Sequence, residues 1–123
     1  MNDEIASVRL EIVRVARLLR ERGAQFMAGL RALAPRYASI GDVRGLGLML
    51  ALEFVKPGDG DGRTPDPDVT KRVQAEALKR KLIVLTAGTY VNVVRIIPPL
   101  ITTAEEVDLA LRTLDESLAA AGA

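Results

Sequence analysis

Few side chains in this 123-residue chain can do chemistry. It contains neither cysteine nor histidine, which removes thiol nucleophiles, disulfides, His-based triads and zinc sites built on either residue. What stands out is Arg95, inside a run from Val91 to Ile97 that otherwise reads as a buried strand. A guanidinium keeps its charge, and burying one unpaired is costly. Two partners are open to it. One is Glu53, the only acidic residue placed within a strand, giving an ion pair inside the protein. The other is a ligand carboxylate, which a planar guanidinium grips bidentately, an arrangement suited to orienting an amino or keto acid.

Other candidate motifs fail on context. Gly45-Leu46-Gly47 begins like a dinucleotide fingerprint, but Leu50 stands where the third glycine belongs and a strand follows instead of a helix. Lys56, Lys71, Lys79 and Lys81 fall in loops or on charged helix surfaces, so none reads as a desolvated Schiff-base lysine. Asp59 and Asp61 open like a calcium loop, but Arg63 occupies a ligand position and the closing glutamate is missing. Tyr90, alone in a turn, reads as a packing residue.

The elements that must position Arg95 follow from periodicity. Ile5, Val8, Ile12, Val15, Leu19, Phe26, Leu30 and Leu33 recur at helical spacing, with Gly23 marking a bend or break and Pro35 the end. The spacing resembles heptads, but Arg22 and Gly29 interrupt the seam, favouring an amphipathic helix lying on its own sheet over a coiled coil. From Arg44 to Val55 the period is two, with Leu46, Leu48, Leu50, Leu52 and Phe54 on one face. After the loop Lys56–Pro67, Asp66 and Pro67 start a helix whose inner face carries Val69, Val73 and Ala77. Leu82–Leu85 and Val91–Ile97 read as strands, the latter stopped by Pro98-Pro99. Thr103 with Glu106 forms a capping box ahead of Val107, Leu111, Leu114 and Leu118. The order α-β-α-β-β-α predicts an α+β two-layer sandwich: a three-stranded, mainly antiparallel sheet, its last strand central, with helices on the leucine face.

Bulk properties narrow the partners. A net charge of +1 and 3% aromatics argue against nucleic acid and anionic membranes. The N-terminal segment carries charges at every turn, unlike a signal peptide or a membrane span. The missing cysteines fit a cytoplasmic protein.

The segments Gly41–Val55 and Leu82–Leu100, with the closing Thr-x-Ala-Glu-Glu-Val-Asp helix, resemble the C-terminal small domain of class III aminotransferases. These are fold-type I enzymes dependent on pyridoxal 5'-phosphate, and the 4-aminobutyrate aminotransferase branch is the nearest likeness. The resemblance runs from Val13 to Leu118 within one domain, 1–123, the first dozen residues fitting least well. It implies amino-group transfer to a keto acid, with Arg95 binding the substrate carboxylate. It also implies that Arg44, Gly45 and Gly47 lie at the active-site mouth. Family members are several times longer, and their cofactor lysine, pyridine-binding aspartate and phosphate site lie in a large domain without counterpart here. The resemblance therefore implies a C-terminal portion that neither holds the cofactor covalently nor transaminates alone. Its partner is the missing large domain or a second copy in a dimer. The competing reading is a free-standing binding or dimerisation module whose non-leucine face, with Met49, Val55, Val91, Val93 and Ile97, forms an apolar patch.

Overall fold

The computed structural model describes residues 2–123. The long helix α1 (Asp3–Leu33) starts on Asn2, whose side-chain oxygen accepts the Ile5 N–H at 3.0 Å. Pro35 ends it within a short 3-10 turn, Ala34–Arg36. Strands β1 (Ile40–Leu46) and β2 (Met49–Phe54) follow, then helix α2 (Pro67–Lys79), strands β3 (Leu85–Ala87) and β4 (Val93–Ile96), and helix α3 (Ala104–Ala121). The caps are those expected: Asp66 accepts from the Val69 N–H at 3.1 Å, and the Thr103 hydroxyl accepts from the Glu106 N–H at 3.2 Å.

The sheet has four strands in the order β1-β2-β4-β3, every neighbouring pair antiparallel. The expected placement of the last strand between the other two holds for β2, β4 and β3. The expected count of three strands does not, because Arg44–Val55 is not one strand. The chain reverses between Leu46 and Met49, which pair across a two-residue turn. Gly47 takes φ +58° at the first turn position, where type II′ hairpins favour glycine. A period of two cannot show that reversal, because the alternation continues through it. Leu46 is 86% exposed, whereas Leu48, Leu50, Leu52 and Phe54 are buried as expected.

Gly23 is neither bend nor break, since α1 runs through it without interruption. A Cβ there would lie 2.6 Å from the Gly47 carbonyl oxygen, so the glycine lets the helix rest directly on the hairpin turn. From this point onward α1 packs as expected, with Phe26, Leu30 and Leu33 meeting Leu50, Leu52, Phe54, Val73, Val94, Val107 and Leu118 in one core. Before this point it does not lie on its own sheet. Ile5 (48%), Val8 (58%) and Ile12 (63%) are exposed, and the helix overhangs the body. Twenty residues of overhang amount to about 30 Å.

One polar cluster ties the turn that follows α1 to α3. The Tyr37 hydroxyl donates to the Asp115 carboxylate, which also receives Arg36 Nη1 at 3.0 Å. The Tyr37 bond, ahead of the Arg36 charge, holds the Asp115 carboxyl below the usual carboxylate range, while burial and the same bond raise the Tyr37 phenol. A depressed carboxyl contributes stability that is present above its unfolded pKa and lost as pH falls through its folded pKa. Tyr37→Phe should therefore cost about 1 kcal/mol near neutrality and should flatten the loss of stability below about pH 4. Urea titrations at several pH values check both; an unchanged acid limb would remove Tyr37 from the linkage.

Candidate functional site

With all three helices on one face of the sheet, the other face lies open. Its residues form rows set by register. Arg44 on β1 stands opposite Ala51 on β2, Ala51 opposite Arg95 on β4, and Arg95 opposite Leu85 on β3. In the adjacent row stand Asp42, Glu53, Val93 and Ala87. Two arginines thus share one row, two strand spacings or about 10 Å apart at their backbones, with the small side chain of Ala51 between them.

Their electrostatic situations differ. Arg44 Nη1 lies 2.6 Å from Glu53 Oε2 and 3.0 Å from Asp42 Oδ2. The Glu53 bond, then the Asp42 bond, hold Arg44 yet more firmly protonated. Glu53 is therefore bound to Arg44, which overturns the alternative in which Glu53 neutralises Arg95. The reason is the hairpin: folding Arg44–Val55 back on itself puts Arg44 beside Glu53, a neighbour that a single continuous strand would keep nine residues away. Among the described residues Arg95 makes no ion pair or side-chain hydrogen bond, and it is exposed. The expected burial of Arg95 also fails, since β4 covers Val94 and Ile96 on its inner side while Arg95 points to the uncovered side.

Arg44, Gly45 and Arg95 line one shallow depression of about 520 Å³, with Met49, Ala87 and Gly88. Gly47 lies outside it, at the hairpin tip against Gly23. Arg95 also borders a second, largely apolar cleft of about 370 Å³ that runs toward Phe26, Leu82, Pro98 and Leu114. Of the apolar patch expected on this face, Met49, Val91 and Ile97 are exposed, but Val55 and Val93 are each only 7% accessible. Val55 bridges to Pro65 in the loop that follows, and Val93 sits between two neighbouring strands.

Two residues that hold this face were missed in the sequence. Asp42 contributes the second carboxylate on Arg44. Asn92, which is buried, donates from Nδ2 to the Phe54 carbonyl at 3.0 Å, while its own carbonyl accepts the Phe54 N–H at 2.7 Å. It follows the 88–91 turn, in which Val91 is held at φ +52°. A β-branched residue in that region is strained, and the Asn92 anchor keeps it in place. A polar residue flanked by valines was the available signal.

The other candidate motifs lie away from this face. Lys56, Lys71, Lys79 and Lys81 are all exposed and all lie outside the depression. Asp61 accepts the Arg63 N–H at 3.1 Å, a loop-closing role. Among the described residues no cluster of acidic side chains suits a metal ion, and no helix is long and apolar enough to cross a membrane.

The chain has relatives among known proteins. A family model described as aminotransferase class III matches residues 5–118. An alanine/serine racemase of Pyrococcus horikoshii is 38% identical over 116 residues, covering 92% of this chain and 24% of the racemase. A 4-aminobutyrate aminotransferase of Escherichia coli is 45% identical over 78 residues, covering 63% of this chain and 18% of its own. Among solved structures, an Arthrobacter phospholyase in complex with phosphoethanolamine superposes with a TM-score of 0.81 at 28% identity, over 94% of this chain and 27% of its own. The chain thus spans about a quarter or less of the length of the relatives it matches.

The two polar anchors of the open face should differ in weight. Glu53→Gln weakens an exposed pair and should lower stability by less than about 1 kcal/mol. Asn92→Ala removes a buried side-chain hydrogen bond to the Phe54 carbonyl, which keeps the Asp66 N–H at 3.1 Å, and should cost about 1.5 kcal/mol, since side-chain contacts are lost with it. Chemical denaturation of both variants would reveal the opposite order if Glu53 were the principal brace.

Proposed function

This chain belongs to the class III aminotransferases, and on that footing we propose that it is the carboxylate-recognising portion of such an enzyme, folded as one domain over 1–123. In this reading Arg95 binds the carboxylate of an amino or keto acid. The enzyme transfers an amino group in the manner of the 4-aminobutyrate and 5-aminovalerate aminotransferases among its relatives, and works in the cytoplasm. The observation that carries the reading is an arginine with no counterion among the described residues, projecting from a central strand into an open depression. Its neighbour Arg44 is already satisfied by two carboxylates, so an incoming carboxylate meets one free guanidinium. Two N–H donors in a fixed fork set both position and orientation of the bound group. Arg44 and Gly45 then form the rim of the mouth, and Gly47, outside the depression, supports that rim as the hairpin turn seated against α1.

Pyridoxal 5'-phosphate belongs to the family's chemistry, but the residues present do not fit it here. No lysine lies in the depression, and nothing on this face matches a phosphate cradle, so no step through the cofactor is assigned to this chain. The covalent chemistry falls to the part of the relatives' length that this chain does not span. That part, or a second copy, is the partner this reading requires.

Two measurements test the reading. In a chimera carrying this chain in place of the matching segment of the Escherichia coli 4-aminobutyrate aminotransferase, Arg95→Gln should lower kcat/KM for the carboxylate substrate by about 10- to 100-fold, the weight of a charged hydrogen bond. An active chimera indifferent to Arg95→Gln would overturn the assignment. Incubating the 123-residue chain with pyridoxal 5'-phosphate and borohydride should leave no single lysine stoichiometrically modified. Saturable labelling of one lysine would show that the chain holds the cofactor after all.

A further inference from the structure

Each strand pairing in the sheet needs something to fix its register. For β1 and β2 it is the two-residue turn between Leu46 and Met49, and for β3 and β4 the 88–92 connection. β2 and β4 have no such link, since Phe54 and Asn92 lie 38 residues apart, with α2 and β3 between them. Alternation does not choose for them either. A slip of two residues keeps Val94 and Ile96 on the helix side and Arg95 on the open side.

We propose that Asn92 is the positioning residue that sets this register, and that it thereby keeps Arg95 clear of Glu53. The placement of Arg95 follows from the strands alone; only its value to a substrate rests on the carboxylate reading.

Asn92 closes the ladder with its side chain. The Phe54 N–H donates to the Asn92 carbonyl at 2.7 Å, but the bond back to the Phe54 carbonyl comes from Asn92 Nδ2, at 3.0 Å. Val91, at φ +52°, has already turned the chain at this point. Asn92 is 3% exposed, on the helix side of β4 with Val94 and Ile96. It is the polar member of an apolar row, so a slip in either direction takes its acceptor away.

The two directions differ in their effect. One slip sets Asn92 opposite Leu52, among aliphatic side chains where the ladder already uses the backbone acceptors. The other carries Asn92 past Phe54 and draws Pro98 into the ladder without an N–H to give. That second slip is the harmful one. Arg95, now opposite Ala51, would stand directly opposite Glu53, about 7 Å from its present place. The free guanidinium would then meet a carboxylate of its own chain.

The chain has no cysteine, so an introduced pair reports without background. Ala51→Cys with Ile97→Cys puts one thiol on the open side of β2 and one just past the end of β4. The two positions are diagonal in the present register, about 7–8 Å apart, and directly opposite only after the harmful slip. Disulfide geometry suits the opposite position and not the diagonal one. At a fixed oxidant concentration, adding Asn92→Ala should speed closure about tenfold, the weight of one buried hydrogen bond. Asn92→Asp keeps the shape but turns an oxygen toward the Phe54 carbonyl, and should speed closure at least as much. Tyr37→Phe, which loosens the contact with α3 and not the strand pair, should leave it unchanged. Circular dichroism checks that each variant is folded.

A closure rate unmoved by Asn92→Ala, or moved equally by Tyr37→Phe, would overturn the proposal. So would Asn92 side-chain amide protons that exchange, in the unsubstituted chain, as fast as those of the exposed Asn2. Closure needs no ligand. Its failure would leave the carboxylate assignment of Arg95 standing, and an indifferent Arg95→Gln chimera would leave the register untouched.

Discussion

The contact between Arg44 Nη1 and Glu53 Oε2, at 2.6 Å, organises the open face. It exists because β1 and β2 form a hairpin, and the hairpin exists because Gly47 accepts a positive φ. Once Glu53 is held there, the row that runs across the sheet has one satisfied cation and one free one. Little stability rides on this exposed pair. Its effect is on availability: the carboxylate that stands diagonally across from Arg95 is already engaged.

The inner face follows a different logic. Leu50, Leu52 and Phe54 alternate with Ala51 and Glu53, so β2 presents large aliphatic groups to the helices and small or charged groups to the other side. β4 does the same with Val94 and Ile96 against Arg95. These two central strands carry the core and the depression on opposite sides of one backbone. A substitution that shifts either strand by one residue would exchange the two faces entirely.

Much of this was legible in the residues. Helical spacing located all three helices, Asp66 and Thr103 marked two starts, and Pro35 and Pro98 marked two ends, because capping and ring closure act locally. The hairpin was not legible, since Leu46 and Leu48 continue the alternation through the turn that separates them. Its one local sign was Gly47, a glycine that the resemblance placed at the active-site mouth. The break expected at Gly23 failed for a related reason. Glycine signals a need for space or for positive φ, and only the fold shows that here the need is space for the Gly47 carbonyl. Arg95 stood out as a charged residue among aliphatics. Whether it faced the core depended on how many layers cover the sheet, and alternation alone carries no such information.

The seat of Gly23 on Gly47 has a mechanical side. The overhanging half of α1 is a rigid arm, and this backbone-to-backbone contact is its fulcrum, too close for a side chain to cushion. Each degree of tilt moves the far end of a 30 Å arm by about 0.5 Å, and the same rotation presses on or lifts from the hairpin that carries Arg44 and Gly45. A load on the far end of the helix is thus delivered to the hairpin through one pair of glycines.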